Sequence, residues 1–173
     1  MITYTYNHTD YSDFLHGFAD ALGVKIKNNT LTFPRGVGEG YIRLLSLPDG
    51  LQAVVSDYSL DEDITVFRKK SKEEFYNLRF EEFFVPGNLV IEINGEIMKE
   101  NDKVHAGAKL YSTLLETGYT LSKGSKLKNI SILISKEWMA SHLGISSSNE
   151  VLQQYLSLKT AGFNFAPFDS EYR

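Results

Sequence analysis

The side chains best suited to bind a metal ion are four histidines, and their spacing does not favour a metal site. His8, His16, His105 and His142 lie in four different segments, and no pair has the i,i+2 or i,i+4 spacing that brings two ligands together. A zinc or iron site needs several converging ligands, so a carboxylate such as Asp102 would have to complete it. The sequence therefore predicts no metal or other cofactor, and His105 is expected to lie in a loop.

Motifs for nucleophilic catalysis and phosphate binding are also missing from the sequence. The chain has no cysteine, no G-x-S-x-G elbow and no P-loop. Residues 36–40 are rich in glycine, but a strand follows them instead of the helix that a phosphate loop needs. Glu81 and Glu82 are neighbours on a predicted strand, so their carboxylates point to opposite faces and cannot serve one centre. We therefore predict a binding protein without catalytic residues.

Aromatic and arginine side chains on the predicted strands favour a ligand pocket. A small β-barrel can hold one ligand among the alternate side chains of its strands. Along one predicted strand we expect Tyr76, Leu78 and Phe80 to point inward, with Arg79 and Glu81 on the opposite face. With polar tips from neighbouring strands, the candidate ligand-binding residues are Tyr41, Arg43, Tyr58, Tyr76, Phe80 and Tyr111. The alternative is that these residues simply belong to the core or to sheet edges, as aromatic residues commonly do.

Length, composition and charge suit one soluble domain. The chain has 173 residues, is 42% hydrophobic and carries a net charge of −4, which provides a core but no overall attraction for nucleic acid. Basic clusters at residues 68–72 and 123–128 are expected to be solvated turns. Residues 1–6 lack the features of a signal peptide, and no apolar run is long enough to span a bilayer. We expect a cytoplasmic protein with no membrane partner.

Helix and turn signals predict the elements that would carry the pocket. Apolar residues at helical spacing predict a helix over Tyr11–Leu22, capped by Asp10 or Ser12 and ended by Gly23. Pro48-Asp49-Gly50 and Asn94-Gly95 are typical of hairpin turns. Strands are predicted at residues 41–47, 51–58, 64–68, 74–84, 89–93, 96–98, 110–115, 119–121 and 129–135.

The C-terminal region is predicted to be helical. One helix covers Lys136–Leu143, and a second runs over about residues 148–161 after a capping box of Ser147 and Glu150. Trp138 is the expected anchor between these helices and the sheet. Its replacement by alanine would cost about 3–5 kcal/mol if the ring is buried.

These patterns predict one α+β, mainly β domain. It consists of an N-terminal helical segment over residues 1–29, a β-barrel or double-sheet sandwich over 30–135, a helical pair over 136–162, and a tail over 163–173. The tail is expected to be a linker to a further segment or a strap across the domain.

Seven stretches of the sequence resemble one protein family. They are GYIR at residues 40–43, LPDGL at 47–51, DYSL at 57–60, EFYNLRFEE at 74–82, GYTLSKG at 118–124, ILISKEW at 132–138 and FDSEYR at 168–173. They are similar to the N-terminal regulatory domain of AraC-type transcription regulators, particularly those of Bacteroidetes. The resemblance covers most of the chain in order, although each stretch is short.

The resemblance implies a cupin-like β-barrel followed by helices. It also implies that the chain senses a small-molecule effector, forms a homodimer and acts on DNA only through a helix-turn-helix domain that is absent after Arg173. The H-x-H pair with a following glutamate that metal-dependent cupins carry is not present. Two alternatives remain open: a stand-alone cupin-type enzyme such as a sugar isomerase or epimerase, and a structural dimerisation module with a filled interior.

Overall fold

Strands account for most of the computed structural model, which describes residues 1–7, 10–87, 89–100, 104–144 and 164–167. The described helices are α1 (Tyr11–Leu22) and α2 (Lys136–Leu143). The described strands are β1 (Ile2–Asn7), β2 (Thr30–Thr32), β3 (Gly38–Ser46), β4 (Gln52–Leu60), β5 (Ile64–Lys69), β6 (Phe75–Phe84), β7 (Leu89–Ile93), β8 (Glu96–Glu100), β9 (Val104–Ser112), β10 (Thr117–Leu121), β11 (Lys126–Ser135) and β12 (Asn164–Pro167).

The described strands form two sheets. One sheet has the order β1-β5-β10-β7-β8, and the other has the order β12-β9-β6-β11-β4-β3-β2. From β4 to β7, and again from β9 to β11, successive strands alternate between the two sheets, and the central neighbours are antiparallel. This is the winding of a jelly-roll sandwich, an architecture that cupins share. The predicted α+β, mainly β fold with a cupin-like double sheet is therefore confirmed.

The main core combines side chains from both sheets with the apolar face of α1. Leu15 and Phe18 of α1 are almost fully buried, and burial of such side chains contributes about 1.5–3 kcal/mol each. The Phe18 ring centroid lies 5.2 Å from that of Tyr4 and 6.1 Å from that of Phe33. The helix therefore closes the sandwich on the side of its N-terminal strand.

The N-terminal segment differs in part from the prediction for residues 1–29. Helix α1 has the predicted bounds, with the Asp10 side chain accepting a hydrogen bond from the Ser12 backbone and Gly23 in the left-handed region at its end. The residues before the helix form a strand, β1, which pairs in parallel with β5. Ile2, Tyr4 and Tyr6 alternate with polar residues, and this period of two is the strand signal that a purely helical segment would not have.

The turns and most strands agree with their predicted positions. Asn94 and Gly95 have φ values of 49° and 84°, as a type I′ turn between β7 and β8 requires. Strand β9 begins well before the predicted residue 110. His105, expected in a loop, therefore occupies a strand position opposite Phe83.

Helix α2 covers one end of the outer face of the β6-β11 sheet. Ser135 caps it by accepting a hydrogen bond from the Trp138 backbone at 3.1 Å. Met139 is buried with Tyr76 and Ile134, whereas Trp138 is only partly buried. Trp138 nevertheless packs against this cluster, so it shares the contact between helix and sheet with Met139, whose side chain is the more deeply buried. Neither described helix is long and apolar enough to cross a membrane.

Part of the predicted C-terminal region returns to the sandwich. Strand β12 pairs antiparallel with β9, so residues 164–167 of the predicted tail form a sheet edge. The predicted helix at 148–161 and residues 168–173 lie outside the described residues.

Candidate ligand-binding site

The face of β6 that points into the sandwich is the charged one. Asn77, Glu81 and Phe83 are 3–4% exposed, and Arg79 shares their face of the strand. Phe80, on the other face, is 38% exposed. The expectation that Tyr76, Leu78 and Phe80 point inward is therefore wrong.

The charged residues on the inner face compensate one another. Arg79 Nε lies 2.7 Å from Glu81 Oε2, and Lys109 Nζ of the neighbouring strand β9 pairs with Glu81 Oε1. Both cations also form cation–π contacts with the Phe83 ring. The Arg79 guanidinium carbon lies 5.9 Å from the ring centroid and Lys109 Nζ lies 5.5 Å from it. Burial opposes the charge of Arg79, but the Glu81 carboxylate and the neighbouring Tyr119, Tyr111 and Tyr58 together outweigh that effect and hold the pKa of Arg79 well above its usual value.

Polar side chains of the adjacent strands extend this cluster. The Asn129 amide, oriented with its oxygen towards Arg79, accepts from Nη2 at 2.7 Å and its nitrogen donates to Ser56 Oγ at 2.9 Å. This orientation pairs each donor with an acceptor, which buried polar groups require. Ser131, opposite Arg79 in the register, is buried beside them. The inner face of this sheet is therefore polar across three strands.

Tyrosines supply neutral hydroxyl groups to the same interior. Burial raises the pKa of Tyr6 and Tyr58 well above its usual value, and it also raises the pKa of Tyr119. The Tyr11 hydroxyl accepts a hydrogen bond from Asn77 Nδ2 at 2.9 Å. These three raised pKa values keep Tyr6, Tyr58 and Tyr119 protonated at neutral pH, so they can donate hydrogen bonds to a ligand but are poor general bases.

Arg79 lines two small cavities inside the sandwich. One, of about 50 Å³, also contacts Glu81, Lys109 and Tyr119. The other, of about 40 Å³, reaches towards Tyr11 and the Asn129 amide. One water molecule needs roughly 10–15 Å³, so each cavity can hold about three or four. The interior thus has room for a small polar molecule.

The six predicted ligand-binding residues divide between the inside and the outside of the sandwich. Tyr58 and Tyr111 line the interior cavities. Arg43 lies outside on β3, 5.4 Å from the ring centroid of Tyr41, and Tyr41 borders an outer groove. Tyr76 is buried on the outer face beneath α2, and Phe80 is exposed on that same face.

The outer groove is larger than the interior cavities but carries less specific chemistry. It has a volume of about 710 Å³ and is bordered by Tyr41 and the partly exposed Phe84. Its charged residues are mixed in sign: Glu39, Asp57, Glu82, Lys126 and Lys128. In contrast, the interior combines buried charge, tyrosine hydroxyls and enclosure, which together favour ligand binding.

Sequence reasoning missed the charged interior because its residues were assigned to solvent. Arg68, expected in a solvated basic turn, is only 2% exposed, whereas Lys69, Lys70 and Lys72 of that cluster are exposed. An arginine that follows Ile64 and Val66 at a spacing of two was the available signal, because that spacing places it on the buried face of β5.

Within the described residues, no group of three or more histidine, aspartate or glutamate side chains could hold a metal ion. His16 Nδ1 lies 2.8 Å from the Ser12 carbonyl oxygen, and the His142 ring stacks on Trp138 with centroids 4.7 Å apart. His8 is outside the described residues. The described histidines with placed side chains therefore occupy separate helices on the surface.

No family model matches the chain, and no curated protein matches it. Solved structures that match include KdgF from Halomonas sp., at 12% identity over 64% of this chain and 89% of that chain, with a TM-score of 0.39. The Schizosaccharomyces pombe Cnp3 cupin domain matches at 11% identity over 63% and 74%, with a TM-score of 0.38. The S161A mutant of Bacillus subtilis oxalate decarboxylase matches at 10% identity over 76% and 37%, with a TM-score of 0.35.

At these scores the matches carry no argument about ligands or activity. The fold assignment rests on the strand order and winding of the two sheets. The chain is a mainly β jelly-roll domain similar to cupins, and this similarity concerns its fold alone.

Proposed function

We propose that this chain is the effector-sensing and dimerisation domain of a cytoplasmic AraC-type transcription regulator, and that its effector binds inside the jelly roll. The seven sequence stretches that resemble such regulators support the assignment to this class. The polar interior supports the location of the effector.

The observation that carries this proposal is the buried Arg79–Glu81–Lys109 cluster at the wall of a cavity. A buried ion pair seldom increases stability over well-packed apolar residues of similar volume. A domain that served only as a structural module would therefore gain little from this cluster. Buried charges that border a cavity give a polar ligand its orientation and specificity.

The strands that hold the cluster also connect to the C-terminal elements. Asn129 lies on β11, which continues directly into α2 at Lys136. Lys109 lies on β9, where its register partner is residue 165 of β12. An effector that binds one arrangement of these strands more tightly than another would shift the equilibrium between them. This coupling is how the effector would control dimerisation and an attached DNA-binding domain.

The proposal is tested by measuring the melting temperature with a panel of small molecules. The panel contains neutral sugars, sugar acids, and short carboxylic acids with their amides. We expect at least one compound to raise the melting temperature saturably, and Arg79→Met to abolish that rise while Arg35→Met, at an exposed arginine, preserves it. Arg79→Lys serves if Arg79→Met does not fold. A rise that survives both changes at Arg79 would place the ligand elsewhere and overturn the proposal, as would no rise with any compound.

A second test concerns the class of regulator. If the gene's reading frame continues beyond Arg173 into two helix-turn-helix motifs, the AraC assignment is supported. A frame that continues into an unrelated domain would count against it.

The residues that line the cavity also bear on the alternative that this protein is an enzyme. Glu81, Lys109 and Tyr119 line one cavity, as acid–base catalysis would require. However, the Glu81 carboxylate is paired with two cations, and burial raises the pKa of Tyr119 and keeps its hydroxyl protonated. Both residues are therefore poor general bases. An isomerase or epimerase would exchange a substrate C–H proton with deuterated water. We expect no such exchange into the sugars of the panel.

A further inference from the structure

A second buried cation lies outside the Arg79 cluster. Arg68 on β5 is 2% exposed, and its Nη2 donates to the backbone oxygens of Leu115 at 2.9 Å and Ser112 at 3.3 Å. Its guanidinium carbon lies 4.7 Å from the centroid of the Tyr111 ring. These contacts hold the guanidinium in place but supply no negative charge.

Two nitrogens of this guanidinium are unsatisfied. Nε and Nη1 of Arg68 are buried and have no hydrogen-bond partner among the residues that the structure describes. Arg68 also forms no ion pair in the described part of the chain. The carboxylate of Glu74, just before β6, pairs instead with Lys136 at 2.5 Å. A buried cation without a counter-ion costs several kcal/mol, so this arrangement favours a missing anionic partner.

The strand register places Arg68 beside residues that line the larger interior cavity. Its partner on β1 is Tyr6, and its partner on β10 is Thr117. Both of these flanking residues line the cavity of about 50 Å³. Tyr111, whose ring forms the cation–π contact with Arg68, lines it as well. Arg68 is not itself a lining residue of this cavity, so its guanidinium adjoins the cavity through these three neighbours.

The interior as a whole has an excess of positive charge. Arg68, Arg79 and Lys109 are buried or nearly buried cations, whereas Glu81 is the one buried carboxylate among the described residues. Glu81 is already shared by Arg79 and Lys109. A neutral effector would leave Arg68 uncompensated, whereas an anionic effector would balance it.

We infer that the effector is a small carboxylate anion, and that Arg68 binds its carboxylate at the Tyr6–Thr117 end of the cavity. This inference rests on the proposed function, because it assigns a chemical class to the ligand of the same interior. A guanidinium pairs well with a planar carboxylate, and the N–H groups of Nε and Nη1 that lack partners are available to its oxygens. The cavity volume restricts the molecule to a few non-hydrogen atoms in this conformation.

The experiment compares pairs of molecules that differ in charge but hardly in shape. Acetate is compared with acetamide, and propionate with propionamide, by the shift in melting temperature at constant ionic strength. Native protein, Arg68→Met and Arg35→Met are measured in parallel, with inorganic phosphate as an anion of different geometry. We expect the carboxylates to raise the melting temperature saturably and the amides to leave it unchanged. Arg68→Met should weaken acetate binding roughly ten- to hundredfold, and Arg35→Met should not.

Each contrary outcome has a separate meaning. If the amides or neutral sugars stabilise the protein and the carboxylates do not, the anion class is overturned while binding in the interior stands. If phosphate alone stabilises it, the carboxylate assignment is overturned. If acetate stabilises Arg68→Met as strongly as the native protein, Arg68 does not bind the carboxylate and the inference is overturned. The inference is also overturned if none of the carboxylates stabilises the native protein. Should Arg68→Met fail to fold, Arg68→Lys keeps the charge without the fork and is expected to bind acetate more weakly than the native protein.

Discussion

Arg79 and Glu81 lie two residues apart on β6, so their side chains leave the strand on the same face, and both point into the sandwich with Nε and Oε2 2.7 Å apart. This pair decides the character of the interior, because it places charge where a jelly roll needs only apolar packing. It also makes the stability of the domain depend on mutual compensation of these charges.

Removing the carboxylate of Glu81 should destabilise the domain strongly. Glu81→Gln leaves Arg79 and Lys109 buried without their shared counter-ion, and the loss of one partner from a buried pair costs about 3–5 kcal/mol. The free energy of unfolding, measured by urea denaturation, should fall by that amount. Glu82→Gln is the matched control, because Glu82 is the exposed neighbour on the same strand. Equal stability of the two variants would mean that the Glu81 pair contributes no more than a surface charge.

Gly40 should tolerate no side chain. Its φ is 106°, and an added Cβ would meet the backbone oxygen of Asp57 on the neighbouring strand. Gly40→Ala should therefore cost about 3 kcal/mol or more. Gly36→Ala, at a positive φ in open space, should cost only about 1–2 kcal/mol. A Gly40→Ala variant as stable as Gly36→Ala would show that β3 and β4 are not so closely paired there.

Met139 should matter more to the docking of α2 than Trp138. Met139→Ala removes a buried side chain from the contact with Tyr76 and Ile134 and should cost about 2–3 kcal/mol. Trp138→Ala removes a partly exposed ring and should cost less than about 2 kcal/mol. Thermal denaturation of both variants gives the order, and the reverse order would show that Trp138 is the main anchor.

Stability should fall at alkaline pH. Burial, with smaller contributions from Asp13 and Asp20, raises the pKa of Tyr4 from 10.0 to about 12, and burial also raises that of Tyr76 to about 12. Below pH 10 these tyrosines are protonated in both the folded and unfolded states, so they add no pH dependence. Between pH 10 and 12 the unfolded chain loses protons that the folded chain keeps, and the free energy of unfolding falls. The slope is at most about 1.4 kcal/mol per pH unit for each tyrosine.

Urea denaturation across this range, with tyrosinate absorbance, measures that slope. Tyr4→Phe should make it shallower, because it removes one of the groups that titrate differently in the two states. A free energy of unfolding that stays flat up to pH 12 would contradict the burial of these hydroxyls.

Local signals in the sequence were sufficient for the elements that local chemistry determines. Helix α1 begins after a capping aspartate and ends at a left-handed glycine, so its bounds follow from neighbouring residues alone. The same holds for Asn94-Gly95, where both φ values are positive. The two-sheet sandwich followed from many short strands between such turns.

The inward face of β6 could not be predicted in the same way. Both faces of this strand carry large side chains, and the more apolar face was expected to be buried. In the structure the more apolar face points outward: α2 covers Tyr76 there, while Phe80 stays partly exposed. Arg79 is tolerated inside because partners such as Glu81 and Asn129 satisfy it. These partners come together through the register of β6 and β11, which no local signal specifies.

The central claim, that a small molecule binds within the sandwich at Arg79, is tested most directly by nitrogen–proton correlation spectra of the arginine side chains. The spectra are recorded while the compound that most raises the melting temperature is added. We expect the Nε–H signals of Arg79 and Arg68 to shift saturably with one common dissociation constant, while those of the exposed Arg35 and Arg43 stay in place. Shifts confined to Arg35 or Arg43, with Arg79 unchanged, would contradict binding in the interior.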